Sequence, residues 1–309
     1  MIGSENYVKI AYVIPTKDRP DDLRVLFASL QKQTRQPNQI IIVDGSDPAI
    51  EPVCNEHPDL DITYVRCFPP SLAKQRNAGM AALNDEITVA GYLDDDLELE
   101  PEATQKMVDF WIQADDQVGG VSMSIINQSA PYRQNWLKFF LMYSDPAGSV
   151  TRSGFHSAIP TVKETIETKW LYGGATLWHR NVIAKFHYDE WFVGHGFGED
   201  FEYSYRVGRD YKLFVLAGSR TYHHERQMAD AKMYILGRQQ TYNRFYMFRK
   251  MGDFSSLLFT WSIFGLVFMN FLALVKKPGQ PTRDRLKGNL RGIWEALIDG
   301  KKSFAGHWK

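Results

Sequence analysis

The sequence predicts an α/β fold: a mostly parallel sheet flanked by helices, followed by a helical C-terminal region. Three observations predict it. Runs rich in β-branched and aromatic residues alternate with stretches of helical period through the first part of the 309 residues. The early runs end in polar, mostly acidic loops. The last quarter then changes to long helical stretches. These patterns divide the chain into an α/β domain over 1–225 and a helical region over 226–309.

The elements follow in order. Lys9 to Pro15 reads as the first strand. Asp18-Arg19-Pro20-Asp21-Asp22 opens a helix, with proline and acids in its first turn, and Leu23, Leu26, Phe27 and Leu30 keep the helical period. Gln39 to Val43 is the second strand, closed by Asp44-Gly45-Ser46-Asp47. Ile62 to Val65 is the third, Leu72 to Leu83 a helix, and Ile87 to Leu93 the fourth strand. A helix over about Glu102 to Ala114 and a strand from Val118 to Ile126 follow. Residues from roughly 127 to 170 carry many aromatics and turn formers and are left unassigned. After them come the Gly173-Gly174 turn, a short apolar run to Trp178, and a loop with Gly194, Gly196 and Gly198. A helix begins near Glu199, and a strand from Lys212 to Leu216 ends at Ala217-Gly218, before Thr221-Tyr222-His223-His224.

Asp94-Asp95-Asp96 closes the fourth strand and carries the chemistry. Carboxylates there lie at the carboxyl end of a strand, where open α/β sheets bind ligands. Three adjacent like charges raise one another's pKa, and a divalent cation relieves the conflict. Carboxylate oxygens suit Mg²⁺ or Mn²⁺, and a hard cation in such a crevice serves a phosphate. The bland alternative is a solvated acidic loop. The strand before the triplet and the helix signal after it, Pro101-Glu102, favour the metal–diphosphate site.

Lys plus Arg and Asp plus Glu each number 36, so the net charge is zero. The tail is basic nonetheless: Lys276, Lys277, Arg283, Arg285, Lys287, Arg291, Lys301, Lys302 and Lys309 face Asp284, Glu295 and Asp299. A basic tail on an acidic body points to an anionic surface, either lipid or nucleic acid, and of the two the expected partner is lipid, with no nucleic acid. Cys54 and Cys67 lack metal-type spacing and read as free thiols in a reducing compartment. The start, Met1 to Asn6, has no basic or apolar segment, so no signal peptide is expected.

Five segments together resemble the inverting family 2 glycosyltransferases of GT-A (Rossmann-like) fold. They are Tyr12-Val13-Ile14-Pro15-Thr16-Lys17-Asp18-Arg19-Pro20, Ile42-Val43-Asp44-Gly45-Ser46, Ala73-Lys74-Gln75-Arg76-Asn77-Ala78-Gly79, Leu93-Asp94-Asp95-Asp96 and Gly198-Glu199-Asp200-Phe201-Glu202. The resemblance covers about residues 8 to 225. It implies a nucleoside-diphosphate-sugar donor, Mn²⁺ or Mg²⁺ as cofactor, and a glycan or lipid-linked acceptor. Pro15, Thr16, Asp18 and Arg19 would line the nucleotide pocket, with Asp44 near the base or ribose and Asp95 also toward the donor. Arg76 and Asn77 would hold the loop beneath the donor. Asp94 and Asp96 match the family's DxD element, with Asp96 on the metal and Asp94 on the ribose or the metal. Strand two departs from the frequent two aspartates before Gly-Ser, which leaves open which base is read.

Asp200 resembles the catalytic base, and backbone donors at a helix start would favour its ionised form. A plain helix cap by Glu199 and Asp200 is the alternative. His223 or His224 resembles the histidine completing the metal site; we prefer His223. Gly173 and Gly174 match a turn that lets backbone approach the transferred sugar, with Trp170 and Glu199 beside the acceptor. Trp170 and Trp178 would stack on sugars, although aromatics at strand spacing are more often core. The element of processive polymer synthases is absent after Asp200, so transfer of one or a few sugars is expected.

Phe254 to Val275 has no charged residue and is long enough to span a bilayer. Arg283 to Ile298 places Leu286, Leu290, Ile293 and Leu297 among basic residues, as an amphipathic helix on a membrane does. A single span would export the basic tail, against the distribution of Lys and Arg. The expectation is a peripheral or monotopic protein on the cytoplasmic face of the membrane. The apolar helix would be re-entrant, interfacial or packed in a homo-oligomer; a soluble core helix is the alternative. Two rival functions are a sugar-phosphate nucleotidyltransferase and a non-catalytic membrane scaffold. The first wants a glycine-rich phosphate loop where Pro15-Thr16-Lys17-Asp18 stands, and the second has no need of Asp200 together with the Asp triplet.

Overall fold

The structure is a computed structural model that describes residues 8–128, 146–193, 196–224 and 230–299, together with 137, 140 and 141. The chain divides into two compact units, one of Met1–Pro131 with Ile159–Glu225 and one of Tyr132–Ala158 with Arg226–Lys309.

In the first unit nine strands of the described residues form one sheet. Strands β1 (Ile10–Thr16), β2 (Gln39–Asp44), β3 (Ile62–Arg66) and β4 (Val89–Leu93) run parallel in the order β3-β2-β1-β4. Beyond β4 the sheet becomes mixed. Strand β8 (Ala175–His179) lies antiparallel between β4 and β6 (Val118–Ile125), and β9 (Lys212–His223) runs parallel to β6. The short strands β5 (Leu97–Leu99) and β7 (Ile166–Thr168) are antiparallel to β9. The α/β class is as predicted, and the second half of the sheet supplies the antiparallel ladders.

Strand β9 runs seven residues beyond the Leu216 stop expected from Ala217-Gly218, to His223. The physical reason is a register shift. Met123 pairs with Leu216 but Ser124 pairs with Arg220, so Ala217-Gly218 lies in an irregularity that the strand carries through. The extension matters for the site. Leu97, next to Asp96, pairs with His223.

Helices cover both faces of the parallel half. Period-2 alternation along β1 sends Ile10, Tyr12 and Ile14 to one face. There they join Leu23, Leu26, Phe27 and Leu30 of α1 (Pro20–Gln31) and Met107 and Trp111 of α4 (Ala103–Gln113) in one core. Tyr12 and Thr104 hydroxyls meet at 2.9 Å within it. Helix α3 (Leu72–Ala81) packs on the opposite face, where a Cβ on Gly79 would overlap the Val13 side chain. Three shorter helices complete the unit: α2 (Glu51–Asn55), α5 (Arg180–Lys185) and α6 (Glu199–Val207).

The second unit contains α7 (Met233–Met251), α8 (Ser256–Lys276) and α9 (Gln280–Asp299). Ser255 caps α8, its Oγ accepting from the Leu258 amide. Phe155, Phe259 and Ile263 form a small buried cluster. Lys301, Lys302 and Lys309 lie outside the described residues.

Candidate active site

A cleft of about 340 Å³ opens at the carboxyl ends of β1 and β4. Pro15, Thr16, Lys17 and Arg19 line it from the β1–α1 loop, Pro70 to Leu72 and Gln75 from the start of α3, and Asp94 to Asp96 from β4. His223 reaches it from the end of β9.

The three aspartates have distinct environments. Asp95 is buried, and both its oxygens are taken: Thr16 Oγ1 donates to Oδ2 at 2.8 Å and Arg19 Nη1 to Oδ1 at 2.8 Å. Burial pushes its pKa up to about 6 against the pull of Arg19 and Thr16. Asp96 is buried too, but the bond and charge of His223, 3.1 Å away, and the charge of Arg19 outweigh burial and hold its pKa low. Asp94 is more open, and burial against its neighbours still raises its pKa. Burial, ahead of mutual repulsion, thus dominates the shifts of Asp94 and Asp95.

Asp94, Asp96 and His223 place ligand atoms within 4.8 Å of one another. Two carboxylates and an imidazole are a donor set that Mn²⁺ accepts. A glycine makes the room, since a Cβ on Gly174 would overlap the Asp94 carboxylate. The residues present therefore fit a divalent cation. The structure also separates the two histidines. His224 pairs instead with Glu98 at 2.9 Å, with both side chains about half exposed.

Beneath the cleft lies a buried arginine. Arg76 is 2% exposed; Nη1 donates to Glu199 Oε1 at 3.0 Å and Nη2 lies 3.6 Å from Asp94 Oδ1. Its guanidinium sits over the rings of Tyr92 and Tyr188, 5.3 and 4.9 Å from their centroids. A Cβ on Gly173 would come 2.5 Å from Arg76 Nη2. The Gly173-Gly174 pair thus leaves space for Arg76 and Asp94. Arg76 and Asn77 do not line the cleft. Asn77 clamps the next loop instead, donating to the Tyr188 carbonyl at 3.0 Å and accepting from the Tyr188 amide at 2.9 Å.

Asp200 stands in the first turn of α6, after Gly198 at φ 91°. Its Oδ1 accepts from the Phe201 amide at 2.7 Å, and the Gly173 amide also donates to it. The expected backbone donors are present, yet burial outweighs them and Arg76, and the pKa is raised. Glu199 is buried, and desolvation, then the charge of Asp200, push it up to about 8.

Other expected site residues are placed differently. Asp44 is fully buried, and its carboxylate accepts from the Ser46 and Ile50 amides, the Tyr64 hydroxyl and Arg66 Nη1 at 2.5–2.9 Å. It organises the β2 loop and does not line the cleft. Asp18 is exposed with φ 56°, its amide donating to Ser46 Oγ, and it too lies off the lining. Trp170 is 2% exposed and packs edge-on against Tyr172 and Phe201, so it offers no free face to a sugar. That corrects the stacking expectation: its strand-spaced aromatic signal was that of a core residue. Trp178 is likewise buried, against Tyr203. Gly194 lies outside the described residues. Gln75 escaped the sequence reading, although it donates to the Thr16 and Val43 carbonyls at 2.9 and 2.8 Å and ties β1 to β2 at the cleft. Its place in the Ala73–Gly79 motif was the available signal.

No curated protein sequence matches the chain significantly. Among solved structures, S. aureus TarS is similar with a TM-score of 0.53 at 14% identity over 85% of this chain, which spans 43% of TarS. The mannosyltransferase PcManGT from Pyrobaculum calidifontis, in complex with GDP-Man and Mn²⁺, gives 0.56 at 11% identity, covering 94% of this chain and 89% of its own. GalNAc-T7 with UDP, GalNAc and Mn²⁺ gives 0.54 at 18% identity, over 71% of this chain and 44% of that one. These likenesses show a shared GT-A fold. Residues 12–180, more than half of the chain, match the model of the family described as Glycosyl transferase family 2, and the chain belongs to that family.

Proposed function

We propose that this glycosyltransferase is metal-dependent and inverting, and that it moves a sugar from a nucleoside diphosphate to a hydroxyl of a lipid-linked or cell-envelope glycan. The observation that carries the reading is the convergence of Asp94, Asp96 and His223 in one cleft, with Asp200 linked to it through Gly173 and Arg76. The similar proteins solved with Mn²⁺ and nucleotides support it. We assign the donor to the cleft and Mn²⁺ to the two aspartates and the histidine, because an imidazole ligand suits Mn²⁺ better than Mg²⁺. Bound there, the cation would neutralise charge on the diphosphate as it departs.

The protein's own groups do the rest. Arg19 and Lys17 face the cleft with positive charge for the diphosphate oxygens. The acceptor hydroxyl gives its proton to the Asp200 carboxylate as its oxygen bonds the anomeric carbon. The bond from that carbon to the diphosphate oxygen breaks on the opposite side, and the nucleoside diphosphate leaves with the electron pair. One base and one in-line displacement invert the anomeric centre. Arg76 does not touch substrate in this scheme; it positions Asp94 and Glu199.

We place the reaction at the cytoplasmic face of a membrane, because nucleotide sugars are cytosolic and α8 is apolar enough to meet lipid. The test is Asp200→Asn with a panel of UDP-, GDP- and dTDP-sugars. Turnover should vanish while donor-induced thermal shift with Mn²⁺ persists. Loss of donor binding in that variant would make Asp200 structural and overturn the assignment.

A further inference from the structure

The C-terminal unit turns only part of its apolar surface inward. Helices of a water-soluble bundle turn their apolar stripes toward one another. Here the contact between α7 and α9 is made by small residues: a Cβ on Gly237 would overlap the Arg285 backbone, and a Cβ on Gly288 or Gly292 would overlap the α7 backbone. Asn289 is fully buried; its amide donates to the Gly237 carbonyl and its oxygen accepts from Asn270 of α8, both at 2.8 Å. Phe259 and Ile263 are buried in the unit, but many other large apolar side chains are exposed. Leu257, Trp261, Phe264, Phe271 and Val275 recur at helical spacing along α8, and Leu257 is 80% exposed. On α9, Leu290, Trp294 and Leu297 are each more than half exposed. Small residues and amide bonds between helices, with apolar residues outward, are how helices pack in lipid.

We propose that α8 and α9 form a lipid-binding face that lies in the plane of an anionic bilayer and does not cross it. The inference deepens the membrane part of the reading above and uses none of its catalytic assignments. Charge selects the occupant. Between residues 254 and 298 the exposed charged residues are Lys276, Lys277, Arg283, Lys287 and Arg291, and the acids Asp284 and Glu295 are not exposed. Arg291 donates to Glu295 Oε1 at 2.7 Å and also lies 4.4 Å from the Trp294 ring centroid, a cation beside an aromatic as at the headgroup level, which leaves Lys276, Lys277, Arg283 and Lys287 to carry most of the positive charge. A second copy of the same face would oppose like charges.

Packing selects the orientation. Helix α9 runs back along α8: Asn289 meets Asn270, and Ile293 packs against the Phe259–Ile263 cluster. Lys287 and Arg291 therefore flank the middle of α8. Were α8 to cross the bilayer, they would be carried toward its midplane, where cations are excluded. With α8 in the interface plane, they reach the headgroups along their own aliphatic stems.

The experiment uses the full chain. Its co-sedimentation with mixed phosphatidylglycerol–phosphatidylcholine vesicles is compared with that on phosphatidylcholine alone, and membranes from producing cells are washed with alkaline carbonate. We expect about tenfold tighter binding to the anionic vesicles and release by carbonate. Lys287→Glu with Arg291→Glu should remove that preference, and Leu290→Asp with Trp294→Asp should abolish binding to both. All variants should keep the thermal shift given by Mn²⁺ and nucleotide sugar, which separates this test from the catalytic reading. Retention after carbonate would overturn the in-plane arrangement. Equal binding to both vesicles, or binding to neither, would overturn the anionic-lipid assignment, and a dimer in solution would then assign the face to a second copy. The vesicle and carbonate results on the unaltered chain decide the matter even where a variant fails to fold.

Discussion

Arg76 joins Glu199 to Asp94 from below the cleft, donating to the first at 3.0 Å and lying 3.6 Å from the second while almost wholly shielded from water. The motif that opens α6 and the motif after β4 are thereby held by one cation. Above about pH 8, where Glu199 is ionised, removing that cation leaves its buried carboxylate uncompensated beside Asp94. Arg76→Met should lower stability by about 3–5 kcal/mol in urea unfolding at about pH 9, and by less at neutral pH, where Glu199 is largely protonated. Arg76→Lys should recover part of it, because a single ammonium cannot bridge both acids. Combining Arg76→Met with Glu199→Gln should recover more, since the stranded charge is gone.

Gly174 has a matching role above the arginine. Gly174→Ala forces its new methyl onto the Asp94 carboxylate. Mn²⁺ affinity measured by calorimetry should fall about ten- to a hundredfold, as misoriented ligands do. Gly218→Ala is the control, because the nearest side-chain atom there is 3.9 Å away.

The two adjacent histidines should part company. His223→Ala removes a member of the Asp94–Asp96 group and should weaken Mn²⁺ binding at least tenfold. His224→Ala breaks an exposed pair with Glu98 and should leave Mn²⁺ affinity unchanged. Calorimetry on the two variants side by side gives the answer.

The pH profile follows from the burial of Asp200. A base acts in its ionised form, and burial raises this carboxyl above its ordinary value. Turnover should therefore fall as pH drops through a pKa above the usual carboxylate range, and recover as pH rises. A profile of kcat/KM with its acidic limb at an ordinary aspartate value would contradict the shift.

Much of the site was legible because its residues are clustered in sequence. The Asp94–Asp96 triplet closes a β-branched run, and Gly198-Glu199-Asp200 opens a helix; both patterns are local, and both lie where they were read. The roles of Asp44 and Trp170 were not legible. Nothing local tells an aspartate that faces a ligand from one that accepts four protein hydrogen bonds, or an aromatic that stacks on a sugar from one packed against Phe201. Strand β9 was read short for a similar reason, since a glycine in a strand looks the same at a bulge as at an end.

By itself the sequence determined the α/β class, the parallel half of the sheet and the family, because these rest on periodicity and on motifs a few residues long. Tertiary structure alone decided that β9 extends to pair with β5 and so delivers His223, not His224, to Asp96. It also decided that α9 packs through glycines and an asparagine while Leu290, Trp294 and Leu297 face outward. Both depend on contacts between residues far apart in the chain, and no local preference carries that information.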